Sequence, residues 1–330
     1  MTSEVLTAYR RPLPLRRGLE LVVREVRTES LGVCSVVLER ESRGPLPEYV
    51  PGSHVLVECA APTGTTVNAY SLTGSGNSPV DYAISVQFRA GGTGGSAFIH
   101  GLVPGDRVQV SLPRNGFAPT ATATHHVLVA GGIGITPVLS HAEAAVRWGR
   151  PFTVLFGYRD GSAPHLERMR RLCGERLVEC VGREALARQL TESLRRQPMG
   201  THLYVCGSGS LTDATLQTAR DFGWPEGRLH HEVFDTVALD PGEPFTVRLA
   251  RSGGELPVPS GVSLLEALEV EGIGVPNLCR QGVCGECRLS VTAGTPVHRD
   301  SFLSPAEKSS NTCLMPCVSR SEGPILEVDL

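Results

Sequence analysis

The side chains best suited to chemistry crowd the C-terminal part of the chain, where five of its ten cysteines lie: Cys279, Cys284, Cys287, Cys313 and Cys317. Four residues separate Cys279 from Cys284, two separate Cys284 from Cys287, and Cys317 follows after 29 more. That is the plant-type spacing of thiolates around a [2Fe–2S] cluster. A structural zinc site usually pairs two Cys-x2-Cys knuckles, and the second knuckle is absent. Cys313 and Cys317 both stand near the fourth position, which leaves that ligand formally ambiguous; the expectation is Cys317 as ligand, with Cys313 spare. Gly282 and Gly285 lie between the first three cysteines, where glycine lets backbone N–H groups turn toward cluster sulfurs.

A second chemical signal is a glycine-rich turn. The apolar run His126–Ala130 ends in Gly131-Gly132-Ile133-Gly134-Ile135-Thr136-Pro137, ahead of a helical pattern. Glycines there admit a pyrophosphate close to the backbone. Thr136 is expected to cap the helix and Pro137 to take its first position, leaving free N–H groups for an anion. The turn is not G-x-G-x-x-G, because Pro137 replaces the last glycine. Tyr204-Val205-Cys206-Gly207-Ser208-Gly209 is another strand end before a helix. At Gly157-Tyr158-Arg159-Asp160, a carboxylate would accept from a ribose 2′-hydroxyl and repel a 2′-phosphate, while Arg159 argues mildly the other way.

Three patterns of elements position these groups. From Leu19 to about Phe117, short alternating runs at 19–27, 33–39, 54–58, 82–88 and 107–112 suggest a small antiparallel barrel. From His126 to about Phe234, strands at 127–130, 153–156 and 202–206 alternate with helical stretches at 138–147, 166–172, 183–195 and 211–222, as in a parallel sheet with crossover helices. After a turn-rich linker, 245–249, a helix at 264–270, the cysteines and a closing strand at 325–328 predict a small α+β unit.

Composition narrows the function classes. The 330 residues are 41% hydrophobic, enough for two or three cores, and 37 Gly with 24 Pro indicate many turns. Net charge is −3 and pI about 6.4, so there is no basic footprint for nucleic acid. Only Lys308 of the 31 basic residues is a lysine, which excludes a P-loop or Schiff-base lysine before it. No run approaches a membrane span, and the paired arginines near the N-terminus precede no signal-like apolar segment. A cytoplasmic protein is therefore expected, with the scattered Cys34, Cys59, Cys173, Cys180 and Cys206 as reduced buried thiols, and the chain is expected to be a monomer. Residues 244–330 carry seven basic and ten acidic side chains, so the whole net charge of −3 sits with the cysteine cluster.

Cys279-Arg280-Gln281-Gly282-Val283-Cys284-Gly285-Glu286-Cys287, His298-Arg299-Asp300 and Cys317-Val318-Ser319 resemble the ferredoxin end of the phthalate dioxygenase reductase and vanillate demethylase reductase family. The resemblance runs from about Leu19 to Leu330. It implies an antiparallel β-barrel binding FMN (FAD the lesser alternative) at 19–122, after an arm at 1–18. An α/β NADH domain at 123–236, a linker at 237–243 and a β-grasp [2Fe–2S] ferredoxin at 244–330 would follow. Asn68-Ala69-Tyr70-Ser71-Leu72 corresponds to the family's Arg-x-Tyr-Ser-Leu, with Tyr70 along the isoalloxazine and the Ser71 hydroxyl toward N5. Gly92-Thr93-Gly94-Gly95-Ser96 resembles the Gly-Arg-Gly-Gly-Ser loop that holds the flavin phosphate. Asn68 and Thr93 replace two arginines of the pattern, for which Arg89 could substitute. Val86 and Thr136 complete the implied flavin contacts. Gly131, Gly132, Gly134, Thr136, Pro137, Tyr158, Arg159, Asp160, Cys206 and Gly207 would hold NADH, and Ser71, Cys206 and Phe234 would surround the reacting centre. Cys206 is implied as a nicotinamide contact rather than a nucleophile.

NADH releases two electrons at once and a [2Fe–2S] cluster accepts one, so a flavin must lie between them. The implied function is an NADH-dependent reductase feeding a separate terminal oxygenase, a Rieske non-haem iron demethylase or dioxygenase. Alternatives are a cytochrome P450 partner, or a non-catalytic redox-sensing module.

Overall fold

The computed structural model describes residues 18–61, 64–92, 94–234, 240–300 and 302–330. Residues 1–17 of the expected N-terminal arm, Thr93 and residues 237–239 of the expected linker therefore lie outside the described residues. One compact unit takes in Arg17–Cys59 and Tyr70–Asp235; a second contains Thr236–Leu330 and the hairpin end Ala60–Ala69.

The N-terminal part is an antiparallel sheet of β1 (Gly18–Ser30), β2 (Val33–Glu39), β3 (Ser53–Ala61), β4 (Gly64–Ser71), β5 (Asp81–Gln87), β6 (Arg107–Ser111) and β7 (Arg114–Asn115). Its order is β4-β3-β6-β1-β2-β5, with β7 on β3. A bridge from Leu72, just past β4, to Ile84 on β5 joins the two ends and curls the sheet into the expected barrel. Alternate residues fill it, among them Leu21, Val36, Leu38, Val57, Leu72 and Ile84. A six-residue helix, α1 (Gly95–His100), follows β5.

The nucleotide domain is a fully parallel sheet of β8 (His125–Gly131), β9 (Phe152–Tyr158), β10 (Leu177–Val181), β11 (Thr201–Gly207) and β12 (Leu229–Val233). Its helices are α2 (Ile135–Arg147), α3 (Leu166–Cys173), α4 (Arg183–Arg195) and α5 (Gly209–Asp221). Strand alternation sends Leu128, Phe156 and Tyr204 to one apolar layer and Val127, Leu155 and Val205 to the other. The order β10-β9-β8-β11-β12 reverses direction between β8 and β11. In such sheets ligands bind beyond the carboxyl ends of the strands at that reversal.

The C-terminal unit is built on β13 (Phe245–Leu249), β14 (Glu255–Val258), β15 (Leu289–Ala293), β16 (Pro296–Val297), β17 (Cys313–Leu314), β18 (Arg320–Ser321) and β19 (Ile325–Val328). A parallel β13–β19 pair is central to the order β14-β13-β19-β15-β17. Helices α6 (Leu264–Val270) and α7 (Pro305–Ser310) both begin with complete capping boxes, Ser263 with Glu266 and Ser304 with Glu307. Residues 240–243, expected as linker, are fastened to this domain. Arg299 donates to the Asp240 carbonyl, and buried Arg320 donates to those of Glu243, Pro259 and Val262.

Candidate functional site

Four thiols meet in the loop between α6 and β15 and in the turn after β17. Cys279, Cys284, Cys287 and Cys317 are all buried, and the sulfurs of Cys287 and Cys317 lie 3.4 Å apart. Pairing with Cys284 and burial push the Cys279 thiol far up; Cys287 does the same to Cys317, while Cys287 is drawn down by Cys317. The loop reaches this shape through left-handed residues: Arg280 (φ 54°), Gly282 (φ 71°) and Gly285 (φ 76°). Arg280 is held there by its guanidinium, which pairs with Glu269 and donates to Asn277 Oδ1 at 3.1 Å. A Cβ on Gly282 would press on Val318 and Asp300, and one on Gly285 would strike the Phe302 ring. Asp300 in turn accepts the N–H groups of Phe302 and Leu303. The Gln281 N–H donates to the Cys279 sulfur at 3.4 Å, the contact that stabilises added negative charge on a cluster. Four convergent thiols with an inward amide fit a [2Fe–2S] centre. Cys313 instead sits on β17, opposite Ser290.

At the reversal point of the parallel sheet, Gly132–Gly134 form a 3-10 turn that winds directly into α2. The helix therefore starts earlier than expected. Gly134 is its N-cap, Thr136 lies inside the first turn with its hydroxyl on the Ile133 carbonyl at 3.0 Å, and Pro137 is the third helical residue. With the 3-10 turn already supplying the entry, there is no place for a side-chain cap. Proline is still tolerated, because first-turn N–H groups have no partner inside the helix. The glycines divide their work. A Cβ on Gly131 would meet Leu211, and one on Gly134 would lie 2.2 Å from the Cys206 carbonyl oxygen, so these two allow close internal packing. Gly132 (φ 54°) faces open space and is the glycine free to admit a ligand.

Cys206, the last residue but one of β11, is fully buried beside Gly207 and opposite Glu232 on β12. Burial and Glu232 push the thiol well up, so it is neutral, as suits a contact rather than a nucleophile. Ser208 caps α5 through the Leu211 N–H. Tyr158 donates to Glu179 at 2.6 Å, while Arg159 and Asp160 are exposed on a tight turn closed by the Ser162 N–H.

On the barrel, Ser71 is buried and its hydroxyl has no partner within the protein, an open donor where the flavin is expected. Tyr70 leans on the barrel core with its phenol toward Cys59, and burial raises it. Leu72 and Val86 have their side chains in the core, and the Val86 carbonyl is taken by His100. Neither presents a side chain outward, since both stand on the inner face of their strand segments. Asn68 accepts from Thr66. Left-handed Gly94 (φ 97°) leads into α1 with no side-chain cap, and the Ser96 hydroxyl accepts from the Arg89 N–H at 3.1 Å.

Comparison with known proteins follows this geometry. Residues 107–229 match the dimethylamine monooxygenase subunit DmmA-like N-terminal domain, and 247–322 match the 2Fe-2S iron-sulfur cluster binding domain. The heme-dependent oxidative N-demethylase beta subunit of Ectopseudomonas mendocina is 41% identical over 317 residues, covering 95% of this chain and 96% of that one. The solved structure of phthalate dioxygenase reductase, described as a modular structure for electron transfer from pyridine nucleotides to [2Fe–2S], is 32% identical with TM-score 0.68, over 95% of this chain and 98% of that one. An intact type IV self-sufficient cytochrome P450 monooxygenase shares 30% identity and TM-score 0.81 over 97% of this chain, which spans 43% of that longer one. The chain belongs to the phthalate dioxygenase reductase and vanillate demethylase reductase family.

As a member of this reductase family the chain is an oxidoreductase, the reductase component of an oxygenase system, and residues 247–322 form its 2Fe-2S cluster binding domain. The fold brings the reductase's predicted nucleotide residues together, with Gly134 against Cys206 and Gly131 beside Gly207. It also sets the 3-10 turn next to barrel strand β5. Among the described residues, no helix is long and apolar enough to cross a membrane. Sequence reasoning assigned no role to Glu232, whose carboxyl is enclosed, lacks a partner at Oε2, and is raised by burial to about 8. Glu29, Ser85 and His165 carry no signal in the sequence and are joined only by the fold.

Proposed function

We propose that this reductase carries electrons from NADH through FMN and the [2Fe–2S] cluster to a separate haem-dependent oxidative N-demethylase acting on a small amine. The observation that carries this reading is end-to-end similarity, at 41% identity, to a subunit of such an enzyme. The match of residues 107–229 to a dimethylamine monooxygenase subunit points the same way. When bound, the cofactors supply a hydride donor, a two-to-one electron converter and a one-electron relay. The chain's own groups hold and orient them. Cys279, Cys284, Cys287 and Cys317 ligate the cluster. Ser71 donates toward the flavin, and Tyr70, Asn68, Gly94, Gly95 and Ser96 bind it. Gly132 and the start of α2 face the pyrophosphate, Tyr158, Arg159 and Asp160 face the ribose, and Cys206 with Phe234 borders the nicotinamide. The domain bounds given above, a monomeric state and a cytoplasmic site belong to the same reading.

The test is anaerobic mixing of the purified reductase and NADH with a purified haem-dependent oxidative N-demethylase. Reduction of a haem Soret band, with amine-dependent formaldehyde release in air, is the expected result. A second reading, a Rieske non-haem iron partner, rests on the resemblance to phthalate dioxygenase reductase; reduction of a Rieske absorbance would establish it instead. Cys317→Ser should lose the cluster but keep NADH reduction of a two-electron dye. Loss of the cluster in Cys313→Ser with retention in Cys317→Ser would reverse the ligand assignment.

A further inference from the structure

Two backbone irregularities converge on one buried polar chain between the barrel and the nucleotide domain. His165, the residue before α3, is left-handed at φ 60°, a conformation uncommon outside glycine. On β1 the pairing with β2 slips between Thr28 and Ser30, which leaves Glu29 unpaired at a bulge. Bulges re-aim side chains, and this one sends the Glu29 carboxylate to His165 Nδ1 at 3.3 Å. On its other side, His165 Nε2 lies 2.8 Å from the Ser85 hydroxyl of β5, which is itself 2.6 Å from the Ser35 hydroxyl of β2.

The donors and acceptors along this chain have one consistent direction. A carboxylate accepts, so Nδ1 carries the imidazole proton and Nε2 is left to accept from Ser85; Ser35 then donates to Ser85. Burial holds the imidazole neutral, pushed down to about 4. Ser85 is buried with both hydroxyl contacts filled, so the Ser–His–Glu set is no hydrolase. Position along the chain indicates its use. His165 closes the loop that starts at Tyr158, Arg159 and Asp160. Ser85 lies on β5, the strand beside the Gly132–Gly134 turn and bridged at Ile84 to Leu72. One turn into α3, Arg168 also reaches the Thr73 carbonyl, next to that bridge.

We propose that His165 is a positioning residue for hydride transfer, tying the coenzyme-side loop to flavin-side strand β5 through Ser85, with Glu29 fixing the ring tautomer that makes the tie. The inference rests on the nicotinamide and flavin placements proposed above. Rates of hydride transfer fall steeply with small misplacements of the reacting atoms, whereas affinity for the remote parts of the nucleotide does not.

The measurement is anaerobic stopped-flow reduction of the flavin by NADH in the full-length holoprotein. His165→Ala and Ser85→Ala should each slow the limiting rate about tenfold, with NADH Kd within about twofold and flavin and cluster absorbance intact. The double variant should be no slower than either single one, because one tie is lost. Glu29→Gln, which keeps an acceptor for Nδ1–H, should retain most of the rate. Ser85→Ala alone decides the matter if His165→Ala does not fold. Unchanged limiting rates, or slowing that arises wholly from Kd, would overturn the positioning role. A wild-type flavin that NADH does not reduce would overturn the functional reading first, and this inference with it.

Discussion

Glu232 shows how one side chain can carry both a cost and a use. Its carboxyl end is enclosed beside Cys206, and Oε2 has no partner. Burial without compensation disfavours the charged form, which raises the group to about 8. A carboxyl whose folded value exceeds its unfolded value binds more protons when folded. Its contribution is therefore intact at low pH and is lost as pH rises from about 4.5 toward 8. Glu232→Gln has no charge to lose. It should raise the unfolding midpoint above wild type at pH 8, by up to about 4 kcal/mol in stability, and the difference should vanish near pH 4. Thermal unfolding at these two pH values checks it. Equal gaps at both would mean that water reaches the carboxylate.

Elements were more legible in the sequence than the contacts between them. The helices at 183–195 and 264–270 occur with the bounds that periodicity gives, because their apolar stripes face a single core. Strands β10 and β12 were not foreseen: each is five residues long, half-exposed at a sheet edge, and has little apolar alternation. Strand β4 was known only as a motif, since Gly64-Thr65-Thr66 and Asn68 dilute its pattern. The cysteine loop was legible because ligand spacing is a local property. The Glu29–His165–Ser85 chain was not, because it joins residues 80 and more positions apart. The start of α2 was misplaced for a related reason, because what the glycines meet is set by a distant strand. That packing is testable. Gly134→Ala would put a methyl group 2.2 Å from the Cys206 carbonyl oxygen, a backbone atom that cannot rotate away. A loss of about 1–3 kcal/mol follows, as in other overpacked cores, together with weaker NADH binding and an unchanged cluster spectrum. Gly132→Ala meets no atom and should cost only its left-handed φ, about 1 kcal/mol. If the two variants melt alike, the close approach of the turn to β11 is not what requires Gly134.

Across the whole molecule, histidines set the acid limit. Six of the ten, namely His125, His126, His141, His165, His202 and His230, lie in the nucleotide domain and are lowered chiefly by burial; His54 is lowered in the barrel. His141 is the clearest case. It is enclosed against Phe117 and Tyr204, bonded through Nε2 to the Phe117 carbonyl, and pushed down to about 4. A histidine that is neutral when folded and free to protonate when unfolded stabilises fully above its unfolded value of about 6.5, and progressively less as pH falls toward 4. At pH 5 each fully enclosed histidine costs about 2 kcal/mol relative to pH 7, a large share of the few kcal/mol by which a domain is stable. Both tryptophans lie in this same domain: Trp148 directly follows α2, and Trp224, three residues past the end of α5, donates to the Leu194 carbonyl. Intrinsic fluorescence therefore reports its unfolding without interference from the cluster-bearing unit's sequence. The tryptophan-monitored midpoint should fall steeply between pH 7 and pH 5. His141→Gln, which keeps a donor for the Phe117 carbonyl but cannot take up a proton, should be less stable at pH 7 and lose less on acidification. A wild-type midpoint that stays level down to pH 5 would show that these imidazoles titrate near their ordinary value, and that the enclosed ring layer around Tyr204 opens to water before it is charged.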